Sequence, residues 1–569
     1  MRREIMLITL YLLTAVPVMS QEADHIKYIS ELLAKDPEDL SEDEIQHYED
    51  VLSNPLILNL SSAFEIHESG LFSRYQAASI LDYRKRSGQI LSLMELSALD
   101  GFSQDFIVRL RPFISLEYAP ELDGWASNEL TGRTSLRASS DVVRYGYATR
   151  YKFKYGERLS LSLASSRSLD ALNAIPDAVS GSACMRFRKV PLKLIAGNYN
   201  IRFGQGLALW TGADFSSLNS PSSFIRRPSG ITPSSSFTGN GLLTGAAAEL
   251  NYRRLSLSVY LGMSGLKQMK SKPEKTGVQS GCNVMWLWKY GQVGLTHFVE
   301  IKGLTKSLRI HIPQMKTSAD FSACFKGIDV FSELMYDWVK ARPSALAGVV
   351  APICDIGNIA AKISSSDGEH MLAVSSGLNT RRRLSGNLSA NITMYSDPKS
   401  DTQDRSLQFK IHTQWEYKFS ESLLARLRVT ERIRSWGEPY RTDIRTDISW
   451  NTSPFSATLR INMLNCIGTS FLSYIEGGYK KGKIAAYFRQ GIFHVDNWDD
   501  RIYAYERDVP GCYNSPAFYG RGVWTSFYTS WKQSRLCRLY FRAGYTAYPF
   551  MKEKKPGKAE LRLQTVFSF

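Results

Sequence analysis

Hydrophobicity with a period of two runs through most of this 569-residue chain. Between Tyr147 and Tyr155 the odd positions hold tyrosine, threonine and phenylalanine, and the even positions hold alanine, arginine and lysine. From Leu159 to Leu163 the odd positions are leucine and the even ones serine. Successive side chains of a β-strand point to opposite faces, so each segment predicts a strand with one apolar and one polar face. Together they predict an antiparallel hairpin.

The same alternation recurs to the end of the chain and predicts further hairpins. The last segment begins near Leu561 and ends on the aromatic residue Phe569. It resembles the terminal strands that the barrel-assembly machinery of Gram-negative outer membranes recognises, which implies that machinery as a partner. The further hairpins pair Ala246–Tyr252 with Leu255–Leu261, Leu407–Phe419 with Leu423–Ile433, Tyr474–Tyr479 with Ile484–Phe488, and Trp524–Trp531 with Leu536–Tyr545.

An alternating region of this length favours a membrane barrel over a soluble fold. The alternating segments number roughly 20 to 26, the size of a wide transmembrane β-barrel. Aromatic residues make up 12% of the chain, and many tyrosines and tryptophans lie near strand ends, as interfacial girdles require. The alternative, several soluble all-β domains, would show linkers, and only the segment 216–236 has such a composition. We predict a mainly β protein: a large antiparallel outer-membrane barrel over 119–569 behind a small all-α domain.

The first residues indicate export. Arg2 and Arg3 precede an apolar run from Ile5 to Val18, and Ser20 supplies a small residue at the cleavage position. This pattern predicts a secretory signal peptide over 1–20, with a membrane anchor as the alternative. The seven cysteines are scattered without paired spacing, so they predict neither a disulfide framework nor a metal site.

Charge divides the rest of the chain into two parts. Residues 21–118 contain 18 Asp and Glu against 8 Lys and Arg, whereas residues 119–569 contain 35 against 60. The first part therefore carries a net charge of −10 and the second +25. A split this sharp predicts two bodies in different environments, with the acidic domain in the periplasm and the barrel in the outer membrane.

The acidic part shows helical signals. Ser41 is followed three residues later by Glu44, as in a capping box, and the segment ILDYRKRS ends before Gly88. The stretch from Leu58 through ILDYRKRSG, LMEL and RLRPFI to Leu116 resembles the paired helix-hairpin-helix domain of competence-type DNA-uptake proteins. The resemblance implies a turn in each hairpin that holds a phosphate.

Both hairpin turns depart from the DNA-binding pattern of that family. DNA-binding members flank an apolar residue with two glycines, and backbone N–H groups there hold the phosphate. The neighbouring carboxylates of Glu68 and Asp100 repel phosphate as well. We predict a structural or protein-contacting role for these turns, with nucleic acid as the less favoured partner. Only the first glycine of each pair is present, in Gly70-Leu71-Phe72 and in Gly101-Phe102-Ser103.

The chain as a whole is similar to a family of Bacteroidota proteins described as helix-hairpin-helix domain-containing, with a barrel behind the helical part. The similarity is carried by NYNIRFGQGLALWTG at 198–212, IRRPSGI at 225–231, RIYAYERDV at 501–509 and PAFYGRG at 516–522. It implies the two-part architecture and no established activity.

Two of these motifs contain candidate contacts of the lumen or the loops. Arg202 and Gln205 belong to a glycine-rich segment that lacks the lysine and the helix of a phosphate loop, so its glycines predict a bulge. The segment 498–508 concentrates charge and aromatic rings. Either it contacts a ligand or folds inward to narrow the pore, or it is a solvated extracellular loop. Its candidate residues are Arg501, Tyr503, Tyr505, Glu506 and Asp508.

The sequence predicts no catalytic, metal or cofactor site. His494 and Asp496 share one strand face, but no nucleophile can be matched to them, and the eight histidines lack metal-ligand spacing. The surplus of cations in the barrel says more about function. Side chains such as Arg150 and Arg426 are costly to expose to hydrocarbon, so the alternation places them in the lumen or at the rims. On one interpretation, a lumen lined in this way favours anions, including lipopolysaccharide phosphates at the outer rim. On the other, the arginines pair with the barrel's own carboxylates and only fill space.

Three hypotheses for function follow. The barrel is a channel or transport component whose periplasmic domain docks a protein partner or covers the lumen. Alternatively, it imports or tethers DNA through the helix-hairpin-helix domain, or it is a non-conducting structural or assembly barrel. Enzymatic activity is not expected.

Overall fold

The computed structural model describes residues 25–53, 55–99, 101–116, 126–139, 142–156, 158–171, 174–187, 190–212, 218–237, 242–264, 277–288, 290–302, 311–354, 356–380, 383–396, 405–434, 440–551 and 555–569. The signal peptide predicted over 1–20 lies outside these ranges. No helix within them combines the length and the apolar character needed to cross a membrane.

Twenty-four antiparallel strands close into one barrel, which confirms the predicted fold class. Consecutive strands pair with each other, and the last strand pairs with the first to close the wall. A short extra strand, Gly230–Pro233, pairs with the end of the fifth strand. The strands are β1 (Ala126–Ser139), β2 (Val142–Tyr155), β3 (Leu159–Arg167), β4 (Ala178–Phe187), β5 (Leu192–Arg202), β6 (Leu243–Tyr252), β7 (Leu255–Ser264), β8 (Gly277–Trp288), β9 (Gly291–Lys302), β10 (His311–Phe325), β11 (Ile328–Asp337), β12 (Arg342–Cys354), β13 (Gly357–Ser366), β14 (Glu369–Asn379), β15 (Leu384–Ser396), β16 (Arg405–Lys418), β17 (Leu423–Arg434), β18 (Arg441–Thr452), β19 (Phe455–Asn465), β20 (Thr469–Lys481), β21 (Ile484–Val495), β22 (Gly520–Lys532), β23 (Cys537–Ala547) and β24 (Lys558–Ser568).

Alternation sets the two faces of the wall, as predicted. In β7 the side chains of Leu257, Val259 and Leu261 are exposed on the outside, whereas Ser256 and Ser258 are buried inside. The exterior is therefore apolar, which is the surface that a membrane barrel presents to lipid. The five hairpins predicted from alternating segments are all formed: β2 with β3, β6 with β7, β16 with β17, β20 with β21, and β22 with β23.

The connections between strands differ in length on the two sides of the barrel. On the side where the chain enters β1 and leaves β24, every connection has two to four residues. On the other side the connections range from two to 40 residues, and the two longest are 203–242 and 496–519. We call these the terminal side and the loop side of the barrel.

In the described residues before the barrel there are five α-helices and three short 3₁₀ helices. The predicted cap at Ser41 is present: its hydroxyl accepts a hydrogen bond from the Glu44 N–H at 3.2 Å, and the Glu44 carboxylate accepts one from the Ser41 N–H at 3.0 Å. One apolar core joins all five α-helices. They are α1 (His25–Leu33), α2 (Glu42–Ser53), α3 (Ala63–Glu68), α4 (Arg74–Ser87) and α5 (Gln104–Leu110), and the 3₁₀ helices are Pro37–Asp39, Leu93–Ala98 and Arg111–Phe113.

The helical segment lies inside the barrel, where the two parts of the chain that differ in net charge are in contact. Its carboxylates contact lumen-facing cations on well-separated strands, including Lys152 of β2 and Arg428 of β17. The physical reason is the charge split itself, because buried cations of the wall require nearby counter-charges. We call residues 25–116 the plug.

Leu334 lies in the middle of the outward face of β11, and substituting it tests whether this face contacts lipid. Its side chain is 62% exposed. We expect Leu334→Arg to destabilise the barrel by about 2–4 kcal/mol in a bilayer, because lipid solvates the guanidinium poorly. The control Leu334→Met keeps the apolar surface. Urea titration followed by heat-modifiable gel mobility measures the effect, and an unchanged midpoint for the arginine variant would contradict a lipid-facing position.

Candidate functional site

The plug and the lumen wall are joined by buried ion pairs. Glu38 of the plug accepts hydrogen bonds from Arg445 (Nη1 to Oε2, 3.1 Å) and Arg460 (Nη1 to Oε1, 2.7 Å). Asp447 of the wall accepts from the same arginines, at 2.8 Å from Arg445 Nε and 2.5 Å from Arg460 Nε. Two carboxylates, one from the plug and one from the wall, therefore neutralise two guanidinium groups on β18 and β19.

The neighbouring Asp36 extends this contact to β17. Its carboxylate accepts a hydrogen bond from Arg428 Nη1 at 2.8 Å. Burial opposes the ionisation of Asp36, but Arg428 and Arg445 outweigh burial and lower its pKa. Burial likewise opposes the ionisation of Glu38, yet Arg445 and Arg460 hold its pKa well below the ordinary value of 4.5. Both groups therefore stay charged at neutral pH.

Ion pairs also hold the plug at a distant part of the wall. Asp50 accepts a hydrogen bond from Lys152 Nζ at 2.5 Å on β2, and Glu68 is paired with Arg186 on β4. Burial opposes ionisation of Asp50, but the neighbouring cations, Lys152 foremost, lower its pKa from 3.8 to about 2. A carboxyl with a lowered pKa stabilises docking above its ordinary pKa and loses that contribution as the pH falls through the lowered value. This pair is therefore stable throughout the neutral range.

The loop 496–519 folds into the lumen, so the interpretation that places it in solvent is wrong for its second half. Glu506 accepts a hydrogen bond from Arg542 Nη2 of β23 at 2.6 Å, and Asp508 is paired with Arg562 of β24. The Tyr505 carbonyl accepts from Arg489 Nη1 of β21 at 2.7 Å. The cause is again charge, because lumen-facing arginines attract the carboxylates of the loop.

Part of the first half of the same loop remains at the surface, although Asp500, Ile502 and Ala504 are buried. Arg501 Nε donates to the Tyr503 hydroxyl at 2.7 Å, and the Arg501 guanidinium lies 4.8 Å from the ring centroid of Trp498. Tyr503 and Trp498 are both exposed. Of the five residues predicted in this loop, Arg501 and Tyr503 are thus separated from the three that reach the lumen.

The inward half of the loop also contacts the plug. The Gly511 N–H donates to Glu49 Oε2 at 2.6 Å, and the Tyr505 N–H donates to Glu38 Oε1 at 3.2 Å. The Tyr513 hydroxyl donates to the Pro37 carbonyl at 3.0 Å. The plug, which enters from the terminal side, and the loop, which enters from the loop side, therefore meet inside the barrel.

The glycine-rich segment that contains Gln205 binds a carboxylate of the wall. Glu333 of β11 accepts hydrogen bonds from the N–H groups of Gln205 (2.8 Å), Leu207 (3.0 Å) and Ala208 (3.1 Å). Gly204 has a φ of +56°, and a Cβ there would lie 2.9 Å from Glu333 Oε2. The segment is thus an anion-binding turn that the protein's own glutamate fills, which goes beyond the predicted bulge.

The motif at 225–231 packs on this turn and reaches the plug. The amide oxygen of Gln205 accepts a hydrogen bond from the Arg226 N–H at 3.0 Å. The guanidinium groups of Arg202 and Arg226 lie 5.6 and 5.1 Å from the ring centroid of Trp210. Arg227 Nη1 then donates to the Leu71 carbonyl of the plug at 3.0 Å. Arg202 and Gln205 therefore support a loop that holds the plug.

The two glycine turns of the plug lie in different surroundings. The first, Gly70-Leu71-Phe72, is buried, and its Leu71 carbonyl faces Arg227 of the barrel. In the second turn Gly101 and Ser103 are exposed, whereas Phe102 packs against Phe72 with ring centroids 6.0 Å apart. The Ser103 hydroxyl accepts from the Phe106 N–H at 3.3 Å and caps α5. The first turn contacts the barrel, and the second faces the terminal mouth.

A cavity of about 720 Å³ remains between α1 and the wall strands β16–β21. Its lining includes Lys418 and Lys480, which lie at the terminal-side ends of β16 and β20. Glu38, Arg460 and the inward loop close it toward the loop side. Among the described residues, this cavity therefore lies on the terminal side of the ion pairs that Glu38 makes.

His494 and Asp496 form a cluster at the rim on the loop side and not in the lumen. His494 Nε2 lies 3.1 Å from Asp496 Oδ2, and Arg521 donates to both oxygens of that carboxylate at 2.7 and 2.8 Å. Within the described ranges, no group of three His, Cys, Asp or Glu side chains is arranged to hold a metal ion.

The residues that join plug and wall were missed by motif analysis. Asp36, Glu38 and Asp50 stand in no recognisable motif, and neither does Glu333. Glu68 adjoins the first hairpin turn, where the sequence predicts only that it repels phosphate. The signal that pointed to them was the opposite net charge of the two parts of the chain, −10 and +25. Complementary charges of this size indicate contact as readily as separation.

No protein-family model matches this sequence, and no curated protein matches it either. Similar solved structures are outer-membrane barrels. The siderophore receptor PirA from Acinetobacter baumannii is 6% identical, with a TM-score of 0.43, over 78% of this chain and 81% of that one. The copper transporter OprC is 9% identical, with a TM-score of 0.44, over 80% and 82%. The translocation pore of the P pilus usher PapC is 10% identical, with a TM-score of 0.38, over 78% and 99%.

Glu49 makes plug docking sensitive to pH. Burial raises its pKa from the ordinary 4.5 to about 7, although the hydrogen bond from Gly511 opposes the shift. A raised pKa means that its contribution to docking is complete below pH 4.5 and is lost as the pH rises through 7. We expect Glu49→Gln to remove this loss and to protect α2 more strongly than the wild type at pH 8, by on the order of 2 kcal/mol.

Hydrogen exchange over residues 42–53, corrected for intrinsic rates, measures this effect at pH 5.5 and pH 8. The matched control is Asp82→Asn, because Asp82 pairs only with Arg86 of its own helix among the contacts in the described chain. If wild-type protection is equal at the two pH values, the assigned role of Glu49 is wrong.

Glu333 anchors the inward segment 203–242. We expect Glu333→Ala to leave three buried N–H groups without their acceptor and to loosen this segment by about 1–3 kcal/mol. Faster hydrogen exchange at Gln205, Leu207 and Ala208 would report the change. Glu333→Gln keeps one acceptor oxygen, so it should show a smaller effect, and equal exchange in all three proteins would refute the anchoring role.

Proposed function

We propose that this protein is a gated transport barrel of the Gram-negative outer membrane, closed by its own N-terminal plug. The observation that carries the proposal is the set of ion pairs between plug carboxylates and lumen cations, with Glu38 between Arg445 and Arg460 at its centre. A wide barrel needs a barrier of this kind if it is to remain closed between transport events.

The chemistry of the contact suits a plug that moves. At the sites described, plug and wall meet through charged and hydrogen-bonding groups, whereas the plug's large apolar core lies among its own helices, with Tyr505 and Tyr513 of the inward loop packed against it. Water can solvate both sets of charges when the plug leaves, so the cost of undocking is smaller than for an apolar interface of equal area. The plug can therefore undock without unfolding.

The proposed orientation follows from the lengths of the connections. Outer-membrane barrels have short periplasmic turns and longer extracellular loops, so the terminal side faces the periplasm. The plug then closes the periplasmic half, and the inward segments 218–237 and 505–513, which rest on the plug, narrow the extracellular half without closing it by themselves. Assembly through Phe569 and contact of the outer rim with lipopolysaccharide remain part of this proposal, as does a periplasmic protein partner.

Single-channel recording in planar bilayers tests the function. We expect the wild type to stay closed and a deletion of residues 25–116 to give large, stable conductance steps. The double variant Asp36→Asn, Glu38→Gln should open far more often than the wild type, because it leaves buried arginines without counter-charge, at a cost of about 3–5 kcal/mol per broken pair.

Asp82→Asn is the matched control, since it removes one negative charge from the plug without touching the wall. Heat-modifiable gel mobility verifies that each barrel is folded. A folded deletion variant that does not conduct would contradict transport and favour a structural barrel with a closed lumen.

A further inference from the structure

Charge is segregated within the plug itself. The carboxylates of Asp36, Glu38, Asp50 and Glu68 face the barrel wall. Five of the eight Lys and Arg residues between 21 and 118 lie instead in the stretch 84–111, which has a net charge of +2 because it also contains Glu95, Asp100 and Asp105. The five cations are Arg84, Lys85, Arg86, Arg109 and Arg111.

This stretch lies at the terminal mouth. Tyr75, at the start of α4, stacks on Tyr290 in the terminal-side connection between β8 and β9, with ring centroids 6.5 Å apart. From there α4 runs to Ser87, and Lys85 and Arg86 near its end are exposed. The barrel leaves Lys85 and Arg86 in solvent, where Arg86 pairs with Asp82 of its own helix, although it binds the carboxylates of the same plug.

Large apolar side chains are exposed in the same stretch of the plug, 84–111. Leu91 is 82% exposed, Val108 68% and Met94 49%. Leu91 and Met94 are three residues apart at the start of the 3₁₀ helix Leu93–Ala98, which packs against the helix α5 that carries Val108. Exposed apolar groups that cluster beside charges mark surfaces for protein contact.

We propose that this surface docks an acidic segment of a periplasmic protein, which pulls or releases the plug. We call it the mouth face, and it consists of Lys85, Arg86, Leu91, Met94 and Val108. The inference rests on the proposed gating function, because a partner is needed only if the plug moves. Charge complementarity identifies the partner's chemistry: carboxylates opposite Lys85 and Arg86, and apolar side chains opposite the three exposed ones.

The apolar groups favour a protein over a nucleic acid. Affinity for nucleic acid comes mainly from neutralised phosphates, to which leucine, methionine and valine contribute little. Protein contacts, by contrast, gain from burying such side chains at the centre of an interface with charges at its rim. The mouth face has this composition.

Photo-crosslinking of the full chain in its own host tests the inference. Benzoylphenylalanine is placed at Leu91 or Val108, and at Trp498 as a control on the loop side of the barrel. We expect an adduct from the two mouth-face positions and none from Trp498, with mass spectrometry locating the crosslink in an acidic stretch of one protein. Adducts with nucleic acid, or the same adducts from all three positions, would overturn the proposal.

Charge exchange then separates docking from chance proximity. The double reversal Lys85→Glu, Arg86→Glu should lower the adduct yield about tenfold or more, and reversal of the facing carboxylates in the partner should restore it. The matched control Lys85→Arg, Arg86→Lys keeps the charge and should keep the adduct. An adduct that is insensitive to reversal refutes the mouth face. Because the conductance of the deletion variant is measured without any partner, failure of gating and failure of docking are distinguishable.

Discussion

The structure depends on the neutralisation of charge inside a closed wall. A barrel whose interior strands carry many arginines and lysines must supply counter-charges, since isolated buried cations are costly. Some come from the wall, as Asp447 does for Arg445, but others come from the plug and from the loop 496–519. Removing either source leaves guanidinium groups that only water or another anion can satisfy.

This constraint explains why three segments from distant parts of the sequence meet in one lumen. Glu38 of the plug, Tyr505 of the long loop and Arg460 of the wall are in direct contact. The glycine-rich turn at Gln205 follows the same rule with the signs exchanged, because its backbone N–H groups neutralise Glu333. At both places, the groups that could bind an anionic ligand already bind a carboxylate of the protein itself, Glu38 in the first and Glu333 in the second.

The barrel could be predicted from the sequence because alternation is a local property. Each strand shows its period of two within a few residues, as Leu257 and Ser258 illustrate, and turn residues mark where strands end. The helix cap at Ser41 is local as well, and it is formed. The site could not be predicted in the same way, because Asp36 and Arg428 are paired across 392 positions of the sequence. Net charge shows that the two parts of the chain differ in sign, but it does not determine whether they are in contact.

The closing seam between β24 and β1 has a consequence for how the protein is made. The plug precedes β1 in the chain, whereas β24 follows all the other barrel strands, so wall closure joins the barrel strand that is farthest from the plug in sequence to the one that is nearest to it. Loops such as 203–242, which contact the plug from the far side, belong to strands synthesised in between. The plug is thus available as a template before the wall is complete, and its carboxylates can gather the arginine-bearing strands around it. In biogenesis, the same ion pairs that later restrain the plug would guide the order and curvature of the sheet as it wraps.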